Sequence, residues 1–321
     1  MHRAMIIGHS GQDGTLLFER LQRDGCELLG IGRTGISHNV GRENEYYKPV
    51  DILDRAAVEH TTRLFSPDAI FYLAAYHHSA EHVYSVDDAS LYFRSHDVHV
   101  CGLLNVLEAV KRCAPRARIF YAASSHCFGA PPTPIQDENT PLRPFSPYGI
   151  TKTAGVQICR MYRASHDVHA SLGFLYNHES PLRKSNFLST KIVRHAVEIY
   201  CGQRTKLALG DLSARVDWGY APDYVEAMIR ILRLNFADDF VISTKESHSV
   251  EEFVEVAFTH LGINWQNHVE VQPSLVIKHS IELVGDNAKL RKITGWSPSV
   301  SFQSMVKLLV DVELERVQNG K

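Results

Sequence analysis

The sequence predicts an α/β fold: a doubly wound parallel sheet joined to a smaller mixed α/β lobe. Two observations predict it. Short apolar runs alternate with amphipathic helical stretches through the first half of the 321 residues. The first strand-to-helix junction is a glycine-rich turn, Gly8-His9-Ser10-Gly11-Gln12-Asp13-Gly14.

The elements follow in order. Residues 5–7 read as a strand and about 14–23 as a helix, so the glycine turn joins the two. Such a turn lets backbone N–H groups and a helix N-terminus approach a pyrophosphate. Glycine is needed where a Cβ would block the phosphate or the helix packing. The spacing is G-x-x-G-x-x-G rather than G-x-G-x-x-G, and a tight loop without a ligand is the plain alternative. Residues 27–31 form a second strand that ends at Gly32-Arg33-Thr34. Residues 46–50 form a third short strand before Asp51-Ile52-Leu53, 56–64 a helix and 69–73 a strand. Residues 89–112 carry helical periodicity through Val98, Leu103, Leu104, Val106 and Leu107, and 118–122 form the next strand.

The second half is less regular. Pro141, Pro144 and Pro147 mark an extended loop before a helix that carries Tyr148. Residues 172–175 form a strand leading into Tyr176-Asn177-His178-Glu179-Ser180-Pro181. Residues 190–201 form a helix, 216–234 carry Asp217-Trp218 and another helix, 241–243 are a strand and 250–261 a helix. The domain division this gives is 1–172 for the dinucleotide-binding Rossmann domain, with about 214–245 returning to it. Residues of about 173–213 and 246–321 form the smaller domain.

Composition narrows the function classes. Hydrophobic content of 44% and charged content of 22% suit a globular enzyme. A formal net charge of -2 offers no field for nucleic acid. No apolar run approaches a membrane span and no signal peptide is read, so the expectation is a cytoplasmic protein without a membrane partner. The six cysteines are scattered with no C-x-x-C pair, which predicts free thiols.

Tyr148 and Lys152 stand four apart, on one helix face. An ammonium near a phenol favours the phenolate, which can take a proton from a hydroxyl while hydride leaves the same carbon. The serine-rich strand end Ala122-Ala123-Ser124-Ser125 strengthens the reading, because Ser124 can hydrogen-bond the reacting oxygen. Arg33, just after the second strand, favours the 2′-phosphate of NADP over NAD, with a plain surface arginine as the alternative. Asp51 and Ile52 could meet the adenine, and Leu73, Ala74 and Ala75 border the nicotinamide path.

With these motifs in place, the chain resembles the extended short-chain dehydrogenases, and among them the GDP-mannose 4,6-dehydratases. The resemblance runs nearly end to end. It rests on Gly8-x-x-Gly11-Gln12-Asp13-Gly14, Tyr176 to Pro181, Asp217-Trp218-Gly219, Gly285-Asp286 and Gly295-Trp296-x-Pro298. It implies a Rossmann domain with a nucleotide-sugar domain, NADP as cofactor (NAD as the other candidate), a GDP-hexose substrate, and a homodimer or homotetramer. It gives Tyr148 and Lys152 as the catalytic pair. Gly8, Gly11, Gln12, Asp13, Gly14, Arg33, Asp51, Ile52, Leu73, Ala74, Ala75, Leu175, His178 and Arg183 fall to the cofactor. His78, Ser125, Asn177, Leu188, Lys191 and Arg215 fall to the sugar nucleotide.

The chain also departs from that family. Ser124-Ser125-His126 stands where the family carries Thr-Ser-Glu, so a histidine replaces the acid–base glutamate. An imidazole titrating near 6.5 can take and return a proton at neutral pH, so His126 could run the elimination of water. The same change fits an enzyme that stops at C4 oxidation or reduction, or that epimerises, and it fits a structural histidine. A non-catalytic cofactor-binding protein is a further alternative. Val216 precedes Asp217 where the family has arginine, with Arg215 one position earlier. The arginine-proline pair before Gly285-Asp286 is absent, with Lys278 and His279 nearby, and Leu73 to His78 is less polar than expected. His78 with His82, and His96 with His99, have helical spacing but no third ligand at a known motif spacing, so no metal is expected.

Overall fold

In the computed structural model, residues 1–32, 35–38, 49–76, 87–275 and 281–320 are described. The chain opens with β1 (Arg3–Ile7), α1 (Gln12–Arg23), β2 (Glu27–Gly32) and β3 (Gly35–His38). Next come α2 (Arg55–Phe65), β4 (Ala69–Tyr72), α3 (Asp88–His96), a π turn (Asp97–Gly102), α4 (Leu103–Cys113) and β5 (Arg118–Ser124). Then follow β6 (Ile135–Gln136), α5 (Pro147–His166), β7 (Ala170–Leu175), β8 (Asn177–Glu179), α6 (Leu188–Tyr200), β9 (Leu207–Leu209), β10 (Arg215–Val216) and β11 (Trp218–Tyr220). The chain ends with α7 (Ala221–Arg233), β12 (Asp239–Ile242), β13 (His248–Ser249), α8 (Val250–His260), β14 (Val269–Val271), β15 (Val284–Gly285), α9 (Ala288–Thr294) and α10 (Phe302–Gln318).

Seven strands form the central sheet in the order β12-β7-β5-β4-β1-β2-β3. Every pairing is parallel except β2 with β3. The chain leaves β1 for β2 on one side and returns to β4 on the other. That reversal opens a crevice at the carboxyl ends of β1 and β4, where ligands of such sheets bind. Leu73 N–H donates to Ile7 O at 2.9 Å and Gly8 N–H to Ile31 O at 2.8 Å, so the chain segments bordering the crevice are tied to the sheet.

The strands are apolar throughout because both faces are covered. Met5 and Ile7 enter the cluster under α2, α4 and α5, with Leu103, Leu107 and Val156. Ala4 and Ile6 enter the opposite cluster with Leu17, Met228 and Trp296. The side-chain period of two in a strand divides them this way. A third cluster joins Ile192, Trp218, Phe253 and Phe302 in the smaller lobe.

The α/β class and doubly wound sheet expected from sequence are present. The strand expected at 46–50 falls mainly outside the described residues. The antiparallel edge strand β3 was not legible: Gly35-Ile36-Ser37-His38 offers a single apolar residue and no strong turn signature. The helix expected over 89–112 is divided by the π turn. After residue 246 the chain does not stay wholly in the smaller lobe, since Leu290 and Trp296 pack in the second sheet-face cluster. Among the described residues no helix is long and apolar enough to cross a membrane. All six cysteines are free thiols.

Candidate active site

The glycine turn lies at the crevice, and Gly8 and Gly14 are sterically required. Gly8 has φ +91°, and a Cβ there would come within 2.7 Å of Ala74 N. A Cβ on Gly14 would lie 2.3 Å from Gly8 O. Gly11 caps α1 with no side-chain hydrogen bond, so the first N–H groups of the helix have no side-chain cap there and fit an anion such as a dinucleotide pyrophosphate. Gly8→Ala is expected to cost at least about 1–2 kcal/mol from backbone conformation alone, read as a lower midpoint in thermal unfolding together with weakened dinucleotide binding.

The side chains of Gln12 and Asp13, assigned to the cofactor from sequence, are engaged elsewhere. His178 Nε2 lies 3.0 Å from both Asp13 carboxylate oxygens, and its Nδ1 donates to Tyr176 O at 2.6 Å. Both ring nitrogens therefore face acceptors, and the imidazole carries both protons. Gln12 Nε2 donates to His178 O at 3.1 Å and accepts at Oε1 from Ser180 Oγ at 2.9 Å. His178 stacks on Tyr224, with ring centroids 4.5 Å apart. The glycine turn is thus clamped to the Asn177–Pro181 segment.

Burial lowers the His178 pKa, but the charge and hydrogen bond of Asp13 more than reverse this and leave it raised above 6.5. Burial raises the Asp13 pKa, and His178 more than reverses that, leaving it below 3.8. The His178 contribution to stability is therefore full below pH 6.5 and is lost as pH rises through the raised value. The Asp13 contribution is full above pH 3.8 and is lost as pH falls through the lowered value. Asp13→Asn is expected to cost about 3 kcal/mol and to flatten the alkaline decline, as read by urea unfolding across pH.

The chemical groups converge where β5 ends and α5 begins. Ser146 caps α5 by accepting from Gly149 N–H at 3.1 Å, and Pro147 occupies the first turn. This places Tyr148 and Lys152 beside Ser124, the last residue of β5. Ser124 Oγ accepts from His126 N–H at 3.2 Å and is hydrogen-bonded to the Tyr148 phenol. Buried Lys152 donates from Nζ to Ala122 O at 2.6 Å, and the ammonium stands 5.8 Å from the Tyr148 ring centroid. The Tyr148 ring lies between two imidazoles, His126 at 5.6 Å and His99 at 5.1 Å, each edge to face.

Burial lowers the Lys152 pKa to about 8. Burial also pushes the Tyr148 phenol above its ordinary 10, opposed by the Ser124 hydrogen bond and the Arg183 charge. The sequence expectation of a lowered phenol is corrected in its net direction: burial outweighs the Lys152 charge, whose ammonium is turned toward the Ala122 carbonyl. His126 is exposed at the surface of the site, and desolvation by the surrounding protein lowers its pKa below 6.5. At neutral pH it is therefore a free base. Cys127 is wholly buried and its thiol is raised by burial, as suits a packing role.

Other sequence-assigned residues are placed as follows. Leu73, Ala74 and Ala75 follow β4 beside Gly8, and Leu175 ends β7 in register with Ser124. Asp51 is exposed and accepts from Leu53 N–H at 2.9 Å, while Ile52 packs toward Gly102. Buried Ser125 opens a short turn after β5, and Asn177 opens β8 opposite Trp218. Arg183 pairs with Glu179 at 3.3 Å and lies 3.7 Å over the Phe187 ring. Leu188 and Lys191 occupy the first turn of α6, which has no side-chain cap. Arg215 is held at 3.3 Å by each of Glu252 and Glu282. Arg33, His78, Lys278 and His279 lie outside the described residues.

The His96–His99 pair does not converge, because the π turn sends His99 inward while His96 Nδ1 lies 3.6 Å from Cys101 Sγ. Asp97 brings a third potential ligand within 4.8 Å of these two. His99 and Thr151, both buried against Tyr148, were not read as site residues. The signal available was one polar residue between Val98 and Val100 on an otherwise apolar stretch.

A sequence profile for GDP-mannose 4,6 dehydratase matches residues 5–309. The chain belongs to this family. It is a nucleotide-sugar dehydratase-like enzyme of the extended short-chain dehydrogenase group. It is 37% identical to GDP-mannose 4,6 dehydratase 2 of Arabidopsis thaliana, over 99% of this chain and 88% of that one. Among solved structures it is similar to dTDP-glucose 4,6-dehydratase of Bacillus anthracis in complex with NAD, with TM-score 0.83 and 19% identity over 99% of this chain and 98% of that one. It is also similar to RMD of Pseudomonas aeruginosa complexed with NADPH, with TM-score 0.81 and 19% identity over 98% and 100%.

Proposed function

We propose that this dehydratase-family chain converts a GDP-hexose, GDP-mannose foremost, to its 4-keto-6-deoxy derivative with NADP. The observation that carries the reading is the Ser124–Tyr148–Lys152 constellation beside the glycine turn, with His126 against the same phenol ring. A nicotinamide dinucleotide held at the glycine turn would supply the hydride acceptor for oxidation at C4 and the hydride donor for reduction at C6.

The protein groups do the rest. Tyr148 takes the proton of the C4 hydroxyl as the C4–H bond breaks, and Ser124 holds that oxygen. Burial alone keeps the Tyr148 phenol protonated, so the phenolate needs the positive charge of protonated Lys152 together with the charge an oxidised nicotinamide would add when bound. The new C4 carbonyl makes the C5 proton acidic. His126 removes it, and the imidazolium returns a proton to the C6 hydroxyl, which leaves as water. Hydride addition at C6 and delivery to C5 of the proton Tyr148 took up, or of a solvent proton exchanged with it, then complete the product, one water lighter than the substrate, and restore Tyr148.

Arg33, which follows β2 with no carboxylate between Gly32 and Thr34, supports NADP over NAD. Exposed Phe93 on α3 and Ile150 and Met161 on α5 support self-association as a homodimer or homotetramer. The reading keeps the cytoplasm as the location. The departure at His126 supports a second reading, a C4 oxidoreductase or epimerase, because desolvation makes the imidazole a weaker base for removing the C5 proton. Turnover of GDP-mannose against UDP- and dTDP-hexoses, with NADP and with NAD, tests the first reading. It predicts a dehydrated product from the GDP sugar with preference for NADP. A sugar of unchanged mass from every donor would overturn it.

A further inference from the structure

We propose that His99 is a positioning residue that fixes Tyr148 for catalysis by tying the catalytic helix to the opposite wall of the crevice. The proposal rests on the reading of Tyr148 as the C4 base.

His99 is wholly buried. A buried imidazole is costly unless both nitrogens are paired. Nε2 lies 3.2 Å from Tyr76 N–H, and Nδ1 lies 2.9 Å from Thr151 Oγ1. A backbone N–H can only donate, so Nε2 bears the lone pair and Nδ1 bears the proton. His99 therefore donates to Thr151. The Thr151 hydroxyl in turn donates within the first turn of α5, to Pro147 O at 2.9 Å or Tyr148 O at 3.1 Å. The hydrogen bonds run in one direction, from the backbone after β4 to the backbone that carries Tyr148.

The ends of this chain matter. Tyr76 directly follows Leu73-Ala74-Ala75, the segment packed against Gly8 at the crevice. Tyr148 meets the His99 ring edge to face at 88°. One imidazole thus joins the wall beside the glycine turn to the helix that presents the base. The π turn makes this possible: its wider winding carries a ring from a surface helix to the interior, and such turns recur at functional sites. His99 touches no reacting atom, so its effect acts through Tyr148.

The test uses His99→Leu, His99→Gln and Thr151→Val with Tyr148→Phe measured beside them. Leucine fills space but leaves Tyr76 N–H and Thr151 Oγ1 without the ring. Glutamine offers one acceptor and one donor on a flexible stem. Misplacing a reacting group by an ångström costs up to about 10²-fold. The expected result is a fall in kcat of about 10–10²-fold for His99→Leu, with KM and cofactor affinity within about twofold, and recovery of most of the loss in His99→Gln. If His99→Leu does not fold, Thr151→Val, which is near-isosteric, carries the test with a fall in kcat of about tenfold. Folded His99→Leu or Thr151→Val with unchanged kcat overturns the proposal. So does a fall in His99→Leu that glutamine does not relieve. Activity surviving in Tyr148→Phe would instead overturn the reading on which the proposal rests.

Discussion

Tyr148→Phe is expected to lower kcat by at least about 10³-fold, the upper range for a positioned acid–base group, while leaving dinucleotide affinity unchanged. The substitution keeps the ring between His99 and His126, so the two edge-to-face contacts survive. It removes the oxygen that is hydrogen-bonded to Ser124. The loss in stability should stay near the worth of one hydrogen bond, about 1 kcal/mol. The comparison of turnover with a dinucleotide titration and a thermal melt separates chemistry from binding and folding. A variant that turns over within tenfold of the parent would remove Tyr148 from the mechanism. The same machinery predicts an alkaline limb. Lys152 loses its proton as pH rises through about 8, and the phenolate then loses its nearby positive charge. The rate should decline above that pH.

The second large effect falls at His126. His126→Ala is expected to reduce water loss by about 10²-fold or more, while oxidation at C4 persists in the first turnover and appears as nicotinamide absorbance. His126→Glu, which supplies the carboxylate that the family resemblance leads one to expect there, should recover part of the dehydration. Desolvation keeps the imidazole neutral to lower pH than a free histidine, so the acid limb of dehydration should lie below 6.5. Unchanged dehydration in His126→Ala would show that the histidine is structural.

The sequence made some of this legible and hid the rest for identifiable reasons. The glycine turn could be read because its G-x-x-G-x-x-G pattern is local and a Cβ at Gly14 would collide with Gly8 and His9 within the turn, whereas the collision at Gly8, with Ala74 after β4, shows only in the fold. Tyr148, Lys152 and Ser124 could be read because a helix repeat and a strand end fix their relation. The Asp13–His178 pair could not, since its members stand 165 residues apart. The part played by His99 could not either, because its direction depends on a π turn that interrupts an ordinary helical pattern. The net direction of the Tyr148 shift, set by burial rather than by Lys152, was hidden for a similar reason. Spacing puts the two side chains on one face but does not reveal that the ammonium is directed to Ala122 O. Arg215 shows the same limit, as two carboxylates from distant segments already hold it.

The most direct test of the dehydration is the position of hydrogen in the product formed from GDP-mannose and NADP in deuterated water. The mechanism predicts a 4-keto-6-deoxy sugar one water lighter, with solvent deuterium at C5 and the original C4 hydrogen at C6. A sugar that keeps its C6 hydroxyl, whether unchanged, oxidised at C4 or epimerised, would contradict it.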